Sequence, residues 1–226
     1  MKVLIACEES QAVCIAMRNN GHEAYSCDIQ ACSGGHPEWH IMQDVLPLIN
    51  GDCTFATMDG QEHRIDGEWD LLIAHPPCTY LSNAGACRMY PKAGCISEER
   101  LKLAAEAKKL FMAFLGAKCR KIAIENPKPL KIVGLPQSSQ SIEPCHFGAP
   151  YTKKTLLWLV GLPPLMPTQI IANARPYLPS NTSKINQGKG DAGVARTKKQ
   201  RSATFFGIAQ AMADQWAGKI EEEEHQ

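Results

Sequence analysis

Pro76 and Pro77 set a boundary that any fold of this chain has to respect. Residues 69–74 before them form an apolar run that is too short for a helix and predicts a buried strand. Neither proline can donate to a sheet ladder or lie inside a helix, so the strand ends here. Cys78 follows at once, and because open α/β sheets bind ligands at the carboxyl ends of their strands, it is a candidate functional residue. The alternative is a proline loop that happens to contain one of ten cysteines.

The start of the chain predicts a β-α-β unit. Residues 2–6 form an apolar strand, and residues 11–20 form a helix with Ser10 as its candidate N-cap. Residues 24–27 form a second strand with Asp28 at its tip. Such a unit implies a right-handed crossover and parallel strands. An acidic residue in the position of Asp28 holds ribose hydroxyls in dinucleotide-type folds, and the alternative is a solvated aspartate.

A second unit follows the two prolines. Ser97 and the two glutamates after it predict the start of a long helix over residues 97–115. Its expected buried face consists of Leu103, Ala107, Leu110, Phe111, Phe114 and Leu115. Residues 121–124 then predict a strand that ends in Glu125. Neighbouring parallel strands bring Cys78 and Glu125 into one crevice, where a thiolate nucleophile beside a proton-carrying carboxyl group is a coherent catalytic pair.

The region between the two units is rich in turn signals. Residues 29–50 are interrupted by glycines and prolines and predict loops. Cys32, His36 and His40 follow one another at four-residue spacing, but no second pair completes a four-ligand set, and we expect no metal site. The dipeptide Asp59-Gly60 predicts the turn of a two-residue β-hairpin.

Composition narrows the class of protein. With 226 residues, 44% hydrophobic and 21% charged, the chain is typical of one globular domain. A net charge of +1 gives no overall attraction to nucleic acid or membrane, so any basic surface must be local. Glu8 and Glu9 interrupt the first apolar run too early for a secretory signal, and we see no transmembrane segment or internal repeat. We therefore expect a cytoplasmic protein whose cysteines are reduced and mostly buried.

The order of these motifs resembles that of the DNA cytosine-5 methyltransferases, above all the short versions carried by bacteriophages and prophages. The similarity runs from the first strand through HPPC at residues 75–78 and IENP at residues 124–127. It continues into FGAPYTKKTLLWL at residues 147–159, in the place of the family's Gln/Arg-containing strand, and ends with TFFGIAQAMADQW at residues 204–216. The resemblance covers nearly the whole chain. It implies an α/β, Rossmann-like methyltransferase fold with a mostly parallel central sheet.

The resemblance implies catalytic roles for four residues. Cys78, which follows the motif residue Pro77, would attack carbon 6 of cytosine and make carbon 5 nucleophilic towards the methyl group of S-adenosylmethionine. Glu125 would hydrogen-bond nitrogen 3 and the exocyclic amine, and Asn126 would position the Cys78 loop. A base inside a duplex must be flipped out to reach such a crevice.

The resemblance also implies S-adenosylmethionine as the cofactor and places its contacts. Asp28 would hold the ribose, and Asp44 the amino group of the adenine. Glu8, Ser10 and Pro76 are the further candidates for cofactor contact. DNA is the implied partner.

The chain departs from the family pattern in four places. Residues 6–10 contain no glycine where the family's first motif is glycine-rich, and His75 stands where glycine is usual. Lys153 and Lys154, the candidate substrate contacts, replace arginines and offer point charges without the bidentate fork. Residues 163–203 are too few for a separate target-recognition domain, so one domain over residues 1–226 is expected with an abbreviated region in its place.

A basic segment lies inside that abbreviated region, over residues 184–201. Its glycines and its excess of positive charge predict a loop suited to phosphate contact, and the alternative is a solvated linker. Against a single acidic residue it carries Lys184, Lys189, Arg196, Lys198, Lys199 and Arg201. Of these, the last three are the candidate substrate-binding residues.

The sequence therefore predicts an enzyme that methylates carbon 5 of cytosine in DNA. One alternative is an amino-methyltransferase that acts on a nitrogen of adenine or cytosine. Those enzymes precede Pro-Pro with Asp, Asn or Ser and follow it with an aromatic residue, and His75 and Cys78 argue against this reading. A second alternative is a catalytically silent protein that binds nucleic acid or cofactor on the same fold, which the glycine-poor first motif favours.

Overall fold

Strands form the centre of the protein in the computed structural model, which describes residues 1–177 and 202–220. In chain order they are β1 (Lys2–Ala6), β2 (Glu23–Asp28), β3 (His40–Met42), β4 (Cys53–Ala56), β5 (Glu62–Ile65), β6 (Leu71–Ala74), β7 (Ile122–Pro127), β8 (Gln140–Ile142), β9 (Tyr151–Thr152), β10 (Thr155–Val160) and β11 (Arg175–Pro176). Antiparallel β4 and β5 form the predicted hairpin, but residues 57–61 join them instead of the expected two-residue turn, because Ala56 pairs with Glu62.

The central sheet has the strand order β3-β2-β1-β6-β7-β10-β8. The strands from β3 to β7 in this order are parallel to their neighbours, whereas β10 is antiparallel to both β7 and β8. The protein therefore has the predicted Rossmann-like α/β fold with a mostly parallel central sheet. The chain builds outward from β1 to β3 and then returns to the other side of β1 as β6. Such a reversal of strand order opens the crevice in which α/β sheets bind their ligands.

Helices cover both faces of this sheet. They are α1 (Ala12–Asn19), α2 (Ala86–Met89), α3 (Glu98–Leu115) and α4 (Phe206–Met212), which continues into a π-helical turn at Ala213–Ala217. Because side chains alternate along a strand, Leu4 and Leu72 pack with α3, whereas Ile5 and Ile73 pack with α1 and α4. Within the two described ranges, no helix is both long enough and apolar enough to cross a membrane.

Helix α3 begins where the sequence predicts. Ser97 Oγ accepts a hydrogen bond of 3.3 Å from the backbone amide of Arg100 and caps the helix. Its expected buried face is wrong at one position, because Leu103 is 38% exposed and the neighbouring Ala104 is buried. Ala104 shares its face with Phe111 and Phe114, and this stripe is the one that the sheet covers.

Strand β3 is an element that the sequence analysis missed, since residues 29–50 were expected to form loops only. Its first residue, His40, is fully buried. One ring nitrogen lies 2.8 Å from Ser26 Oγ and the other 2.9 Å from the carbonyl of Gln30, so His40 ties β3 to β2 and to the loop after β2. In the described part of the chain, no group of three or more His, Cys, Asp or Glu is arranged to hold a metal ion.

All ten cysteines belong to the described residues and are free thiols. Their expected burial is only partly correct. Four are buried and four are half-buried, whereas Cys87 and Cys95 are exposed. Cys87 belongs to α2, and Cys95 lies in the connection between α2 and α3.

Candidate active site

The carboxyl ends of four neighbouring strands lie level at one edge of the sheet. In the register of the parallel strands, Ala6 pairs with Ala74, and Ala74 pairs with Ile124. The residues that this register places at the edge are Cys7, Asp28, His75 and Glu125. The edge coincides with the reversal of strand order between β1 and β6, so chemically active side chains meet where the fold opens its crevice.

His75 and Glu125 form a close pair in this crevice. Their side chains are only 11% and 15% exposed, and His75 Nδ1 lies 2.9 Å from Glu125 Oε2. An ionised carboxylate only accepts hydrogen bonds, so the imidazole donates. The sequence marked His75 as a departure from the family pattern, but it gave no sign that His75 contacts Glu125, fifty residues later.

The pKa shifts of both side chains favour the ion pair. Burial opposes ionisation of Glu125, but the hydrogen bond from His75 and the positive charges of His75 and Lys153 lower its pKa below the ordinary value. Burial also opposes protonation of His75, yet the hydrogen bond and charge of Glu125 and the charge of Glu8 raise its pKa. The surroundings therefore favour a proton on His75 beside an ionised Glu125.

Cys78 lies half-buried just beyond the prolines. Burial, and then the negative charge of Glu125, raise the pKa of its thiol, while Lys153 and a hydrogen bond with Ser82 oppose the shift only in part. The thiol is thus protonated at rest. A nucleophilic role then requires a substrate that is itself activated, for which the neighbouring carboxyl group is suited.

Asn126 supports the loop that carries Cys78. Its side chain is buried, and Nδ2 donates a hydrogen bond of 3.0 Å to the carbonyl of Pro76. The loop is also hydrogen-bonded to the segment after β7, because the amide of Asn83 donates to the carbonyl of Lys128 at 2.8 Å. The predicted positioning role of Asn126 rests on these contacts. Pro76 itself is buried in the turn, whereas Pro77 is exposed.

Arg100 is a further support for this loop that sequence reasoning missed. Its guanidinium Nη2 donates a hydrogen bond of 2.6 Å to the carbonyl of Thr79, directly after Cys78. The guanidinium carbon lies 4.9 Å from the centre of the Tyr80 ring. Helix α3 therefore fixes the loop from one side while Asn126 fixes it from the other. An arginine one turn inside a capped helix looks like a surface residue in the sequence, so no signal marked it.

Lys153 and Lys154 have different surroundings. Lys153 lies close enough to His75, Cys78 and Glu125 for its charge to act on all three. Its ammonium also lies 5.8 and 5.7 Å from the ring centres of Tyr177 and Phe205. Lys154 is exposed on the outer side of the chain. The structure thus brings only the first of the two predicted lysines into the crevice.

The turn between β1 and α1 has a glycine-like backbone without glycine. Cys7 and Gln11 both have a φ of 59°, a conformation that costs a side-chain-bearing residue about 1–2 kcal/mol. The side chain of Gln11 helps to hold it, because Nε2 donates to the carbonyl of His36 at 2.8 Å and Oε1 accepts from the amide of His36 at 3.1 Å. The backbone path of a glycine-rich turn is therefore kept by a different set of side chains.

The start of α1 corrects the predicted cap. Ser10 is not the N-cap, because the left-handed Gln11 occupies that position, and the Gln11 side chain makes no capping hydrogen bond to the helix. The cap is instead the carboxylate of Glu8, which accepts 2.7 and 3.2 Å hydrogen bonds from the amides of Val13 and Cys14. The free amides at a helix N-terminus, which bind phosphate in many α/β proteins, are here bound by the protein's own carboxylate.

Asp28 and Asp44 meet at the end of β1. Asp28 Oδ1 accepts a 2.9 Å hydrogen bond from the amide of Gln30, and Asp44 Oδ1 accepts one of 3.1 Å from the amide of Leu46. After burial, the charges of both aspartates contribute to raising the pKa of Cys7, so both carboxylates lie near this thiol. The structure therefore brings the two predicted cofactor contacts together at the reversal point of the sheet.

The remaining predicted site residues lie outside the described part of the chain, and a separate cleft contains none of the predicted catalytic or cofactor residues. Lys198, Lys199 and Arg201, with the whole of the basic segment, fall outside the described residues. A cleft of about 530 Å³ lies beside α4 and includes Phe147, Tyr151 and Phe205 in its lining. None of the predicted catalytic or cofactor residues is among the described residues that line it.

Comparisons with known proteins give little beyond this geometry. No family model matches the chain, and no curated protein matches it significantly. A solved structure that it resembles is a mutant of DNMT2 from Spodoptera frugiperda, with 14% sequence identity and a TM-score of 0.36. The similarity covers 79% of this chain and 55% of that one, so the chain spans about half the length of the solved protein.

Proposed function

We propose that the protein is a methyltransferase that moves a methyl group from S-adenosylmethionine to carbon 5 of cytosine in DNA. The observation that carries the proposal is the convergence of Cys78 and Glu125 at the carboxyl edge of β6 and β7, with Asn126 holding the Cys78 loop. A thiol and a carboxyl group in one crevice match the two demands of this reaction, which are a nucleophile for the ring and a proton partner for it.

The chemistry assigns one task to each residue. The sulfur of Cys78 forms a bond to carbon 6 while the thiol proton goes to solvent. The electrons of the 5,6 double bond delocalise over carbon 5, carbon 4 and nitrogen 3, and nitrogen 3 takes a proton through Glu125. The ring then has a nucleophilic carbon 5, and the bound cofactor supplies the electrophilic methyl group. Carbon 5 next loses its proton to solvent, the sulfur leaves carbon 6 and takes a proton from solvent, and nitrogen 3 returns its proton through Glu125. These steps restore the aromatic ring and the free thiol.

The residues at the reversal point fit the proposed cofactor. Asp28 would hold the ribose hydroxyls and Asp44 the adenine amine, and both carboxylates lie near Cys7. Because Glu8 already binds the first amides of α1, the crevice lacks the phosphate site of a dinucleotide cofactor. S-adenosylmethionine is a nucleoside without phosphate, so it is compatible with this cap. Ser10 and Pro76 are the further candidate contacts.

Charge around the crevice supports a polyanionic substrate. Residues 71–97, which contain the Cys78 loop, and residues 126–142, on which the loop rests, carry no aspartate or glutamate. Exposed basic side chains in and beside these segments are Arg88, Lys92, Lys128, Lys131 and Lys154. The overall charge is close to neutral, so the local excess of positive charge at this edge favours binding of phosphates.

The proposal is tested by identifying the methylated nucleoside. The protein is incubated with methyl-labelled S-adenosylmethionine and with DNA, RNA or free deoxycytidine nucleotides, and the digested product is analysed by mass spectrometry. We expect 5-methyldeoxycytidine from DNA. A methyl group on a nitrogen of adenine or cytosine would replace the proposal with an amino-methyltransferase, and binding without any methylated product would indicate a silent protein.

A covalent trap tests the nucleophile itself. DNA with 5-fluorocytosine cannot lose a proton from carbon 5, so the bond between sulfur and carbon 6 persists after methyl transfer. We expect a denaturation-resistant complex with the wild-type protein, and none with Cys78→Ala. Cys87→Ala, which removes an exposed thiol, is the matched control and should form the complex normally. A complex with Cys78→Ala would remove Cys78 from the mechanism.

A further inference from the structure

His75 is held beside Glu125 at the edge of the sheet. Its backbone amide donates to the carbonyl of Ala6 at 2.9 Å, which fixes it at the level where the crevice begins. Its Nδ1 lies 2.9 Å from Glu125 Oε2, and both side chains are largely shielded from solvent. The pair joins the ends of two adjacent parallel strands, so its geometry is set by the register of the sheet.

We propose that His75 is a positioning residue that orients the Glu125 carboxylate and stores the proton that Glu125 passes to nitrogen 3 of cytosine. The inference rests on the function proposed above and extends it to a residue that the cytosine ring does not need to touch. It also gives a chemical reason for the histidine directly before Pro76. The DNA cytosine-5 methyltransferases, which the chain resembles in its motifs, usually have glycine at this position.

The charges around His75 favour storage of a proton. Glu125 faces it from β7 and Glu8 from the turn after β1, whereas Lys153 faces it from the segment before β10. Cys78, the remaining titratable neighbour, is a neutral thiol at rest because burial and the charge of Glu125 raise its pKa. Two carboxylates against one ammonium stabilise an imidazolium between them.

An unpartnered ring nitrogen argues against a purely structural pair. Within the described residues, His75 Nε2 is buried and has no hydrogen-bond partner, and the same holds for Asn126 Oδ1. Buried polar atoms in native proteins are nearly always paired, and orphans concentrate where a ligand, water or proton transfer completes them. Both unpartnered atoms lie at the base of the Cys78 loop, where the ring of the substrate is proposed to enter.

The proton balance closes over the catalytic cycle. As sulfur adds to carbon 6, the O–H bond of a transiently protonated Glu125 breaks and the N–H bond at nitrogen 3 forms. The proton on Glu125 comes from His75 Nδ1, which leaves a neutral imidazole, while the thiol proton of Cys78 goes to solvent. When the carbon 5 proton leaves to solvent and sulfur is released, the thiolate takes a proton from solvent, and the nitrogen 3 proton returns through Glu125 to His75.

The first test compares the pH dependence of kcat for the wild-type protein with that for His75→Asn. Asparagine keeps a hydrogen-bond donor near the place of Nδ1 but stores no proton. We expect kcat of the variant to fall at a pH at least about one unit lower than that of the wild type, a loss of about tenfold on the alkaline side, with KM for DNA little changed. His36→Asn, which removes a histidine beside the exposed Glu38, should leave the profile unchanged.

The second test measures the interaction between His75 and Glu125 without an activity assay. The ring protons of His75 are followed by NMR against pH in the wild-type protein and in Glu125→Gln, with Glu38→Gln as the control. We expect His75 to titrate at lower pH once the carboxylate is removed and to be unaffected by the control. Identical titration of His75 in all three proteins would contradict an interaction between His75 and Glu125. Circular dichroism checks that each variant is folded.

The outcomes separate the inference from the function on which it rests. If the wild-type protein makes no 5-methylcytosine, the proposed function fails and the inference fails with it. If the wild-type protein is active and His75→Asn has the same pH profile of kcat, only the inference fails. An earlier alkaline fall of kcat in His75→Asn, together with the shifted titration in Glu125→Gln, supports the role of His75.

Discussion

Single side chains at the edge of the sheet decide what this crevice can bind. The positions of Asp28 and Cys78 near strand ends were predictable from the sequence, because Asp28 follows a strand-like run and Cys78 follows the two prolines that end one. The contact of His75 with Glu125 was not, since it depends on the register of two strands that are fifty residues apart. The cap of α1 was missed for a related reason, because the left-handed backbone at Gln11 moves the first helical residue beyond the reach of Ser10.

Asp28 offers a direct test of the proposed cofactor site. Asp28→Ala should weaken S-adenosylmethionine binding by roughly 1–3 kcal/mol through loss of a hydrogen-bonded contact. Isothermal titration calorimetry measures the change. Asp66→Ala is the matched control, because this aspartate pairs with Arg64 on the far surface of the hairpin and should not alter affinity. Equal affinity of Asp28→Ala and the wild type would make Asp28 an ordinary strand-end residue.

The His75–Glu125 pair also predicts how stability depends on pH. The raised pKa of His75 stabilises the fold below its ordinary value of 6.5, and this contribution is lost as pH rises through the folded pKa. The lowered pKa of Glu125 stabilises the fold above its ordinary value of 4.5, and this contribution is lost as pH falls through the folded pKa. The pair therefore contributes most between these two ordinary values.

Urea denaturation of the wild type and of His75→Ala at about pH 5.5 and about pH 8.5 measures this contribution. We expect the variant to be destabilised more at the lower pH, because the imidazolium that it lacks is present there. A difference in the free energy of unfolding that is the same at both pH values would contradict the ion pair.

Secondary-structure elements act here as supports for one loop. Helix α3 was predictable from Ser97 and the spacing of its apolar residues, yet its register against the sheet was not, so Leu103 was wrongly expected in the core. Strand β3 was missed because its three residues lie among glycines and prolines and show no period. The role of α3 in holding the Cys78 loop likewise appears only when Arg100 is seen to reach the carbonyl of Thr79.

Removing Arg100 should loosen this loop while the fold persists. Arg100→Ala is expected to lower kcat by about tenfold, since it removes a charge-assisted hydrogen bond worth roughly 1.5–3 kcal/mol from the loop that carries the nucleophile. Hydrogen exchange of the Leu81 and Ser82 amides, which bond to the carbonyl of Cys78, should become faster. Lys102→Ala, an exposed change on the same helix, is the control. Unchanged exchange would show that Arg100 does not hold the loop.

At the scale of the whole molecule, the sheet brings distant segments to one crevice. The sequence predicted the parallel half, because its strands alternate with helices, but it did not predict which way β10 runs. β10 is antiparallel to β7, and Thr155 pairs with Pro127, so the residues before β10 lie beside the residues that end β7. This arrangement is the reason that Lys153 reaches His75 and Glu125.

Salt dependence distinguishes two places where DNA phosphates can bind. Neutralising Lys198, Lys199 and Arg201 together should reduce the slope of log affinity against log salt by up to about three units if the basic segment carries the DNA. Neutralising Arg88, Lys92 and Lys128 tests the edge of the crevice in the same way, by fluorescence anisotropy with a cytosine-containing duplex. A slope that neither triple substitution changes would contradict both surfaces.

The carboxylate of Glu8 has a consequence for the design of inhibitors. A ligand whose phosphate approached the first turn of α1 would have to displace Glu8 from the amides of Val13 and Cys14 or lie against a buried negative charge. Nucleotide analogues should therefore be poor leads for this crevice, whereas neutral or cationic nucleoside analogues avoid the conflict. The carboxylate that caps the helix thus disfavours one class of inhibitors, and it does so independently of any contact that an inhibitor makes with Cys78.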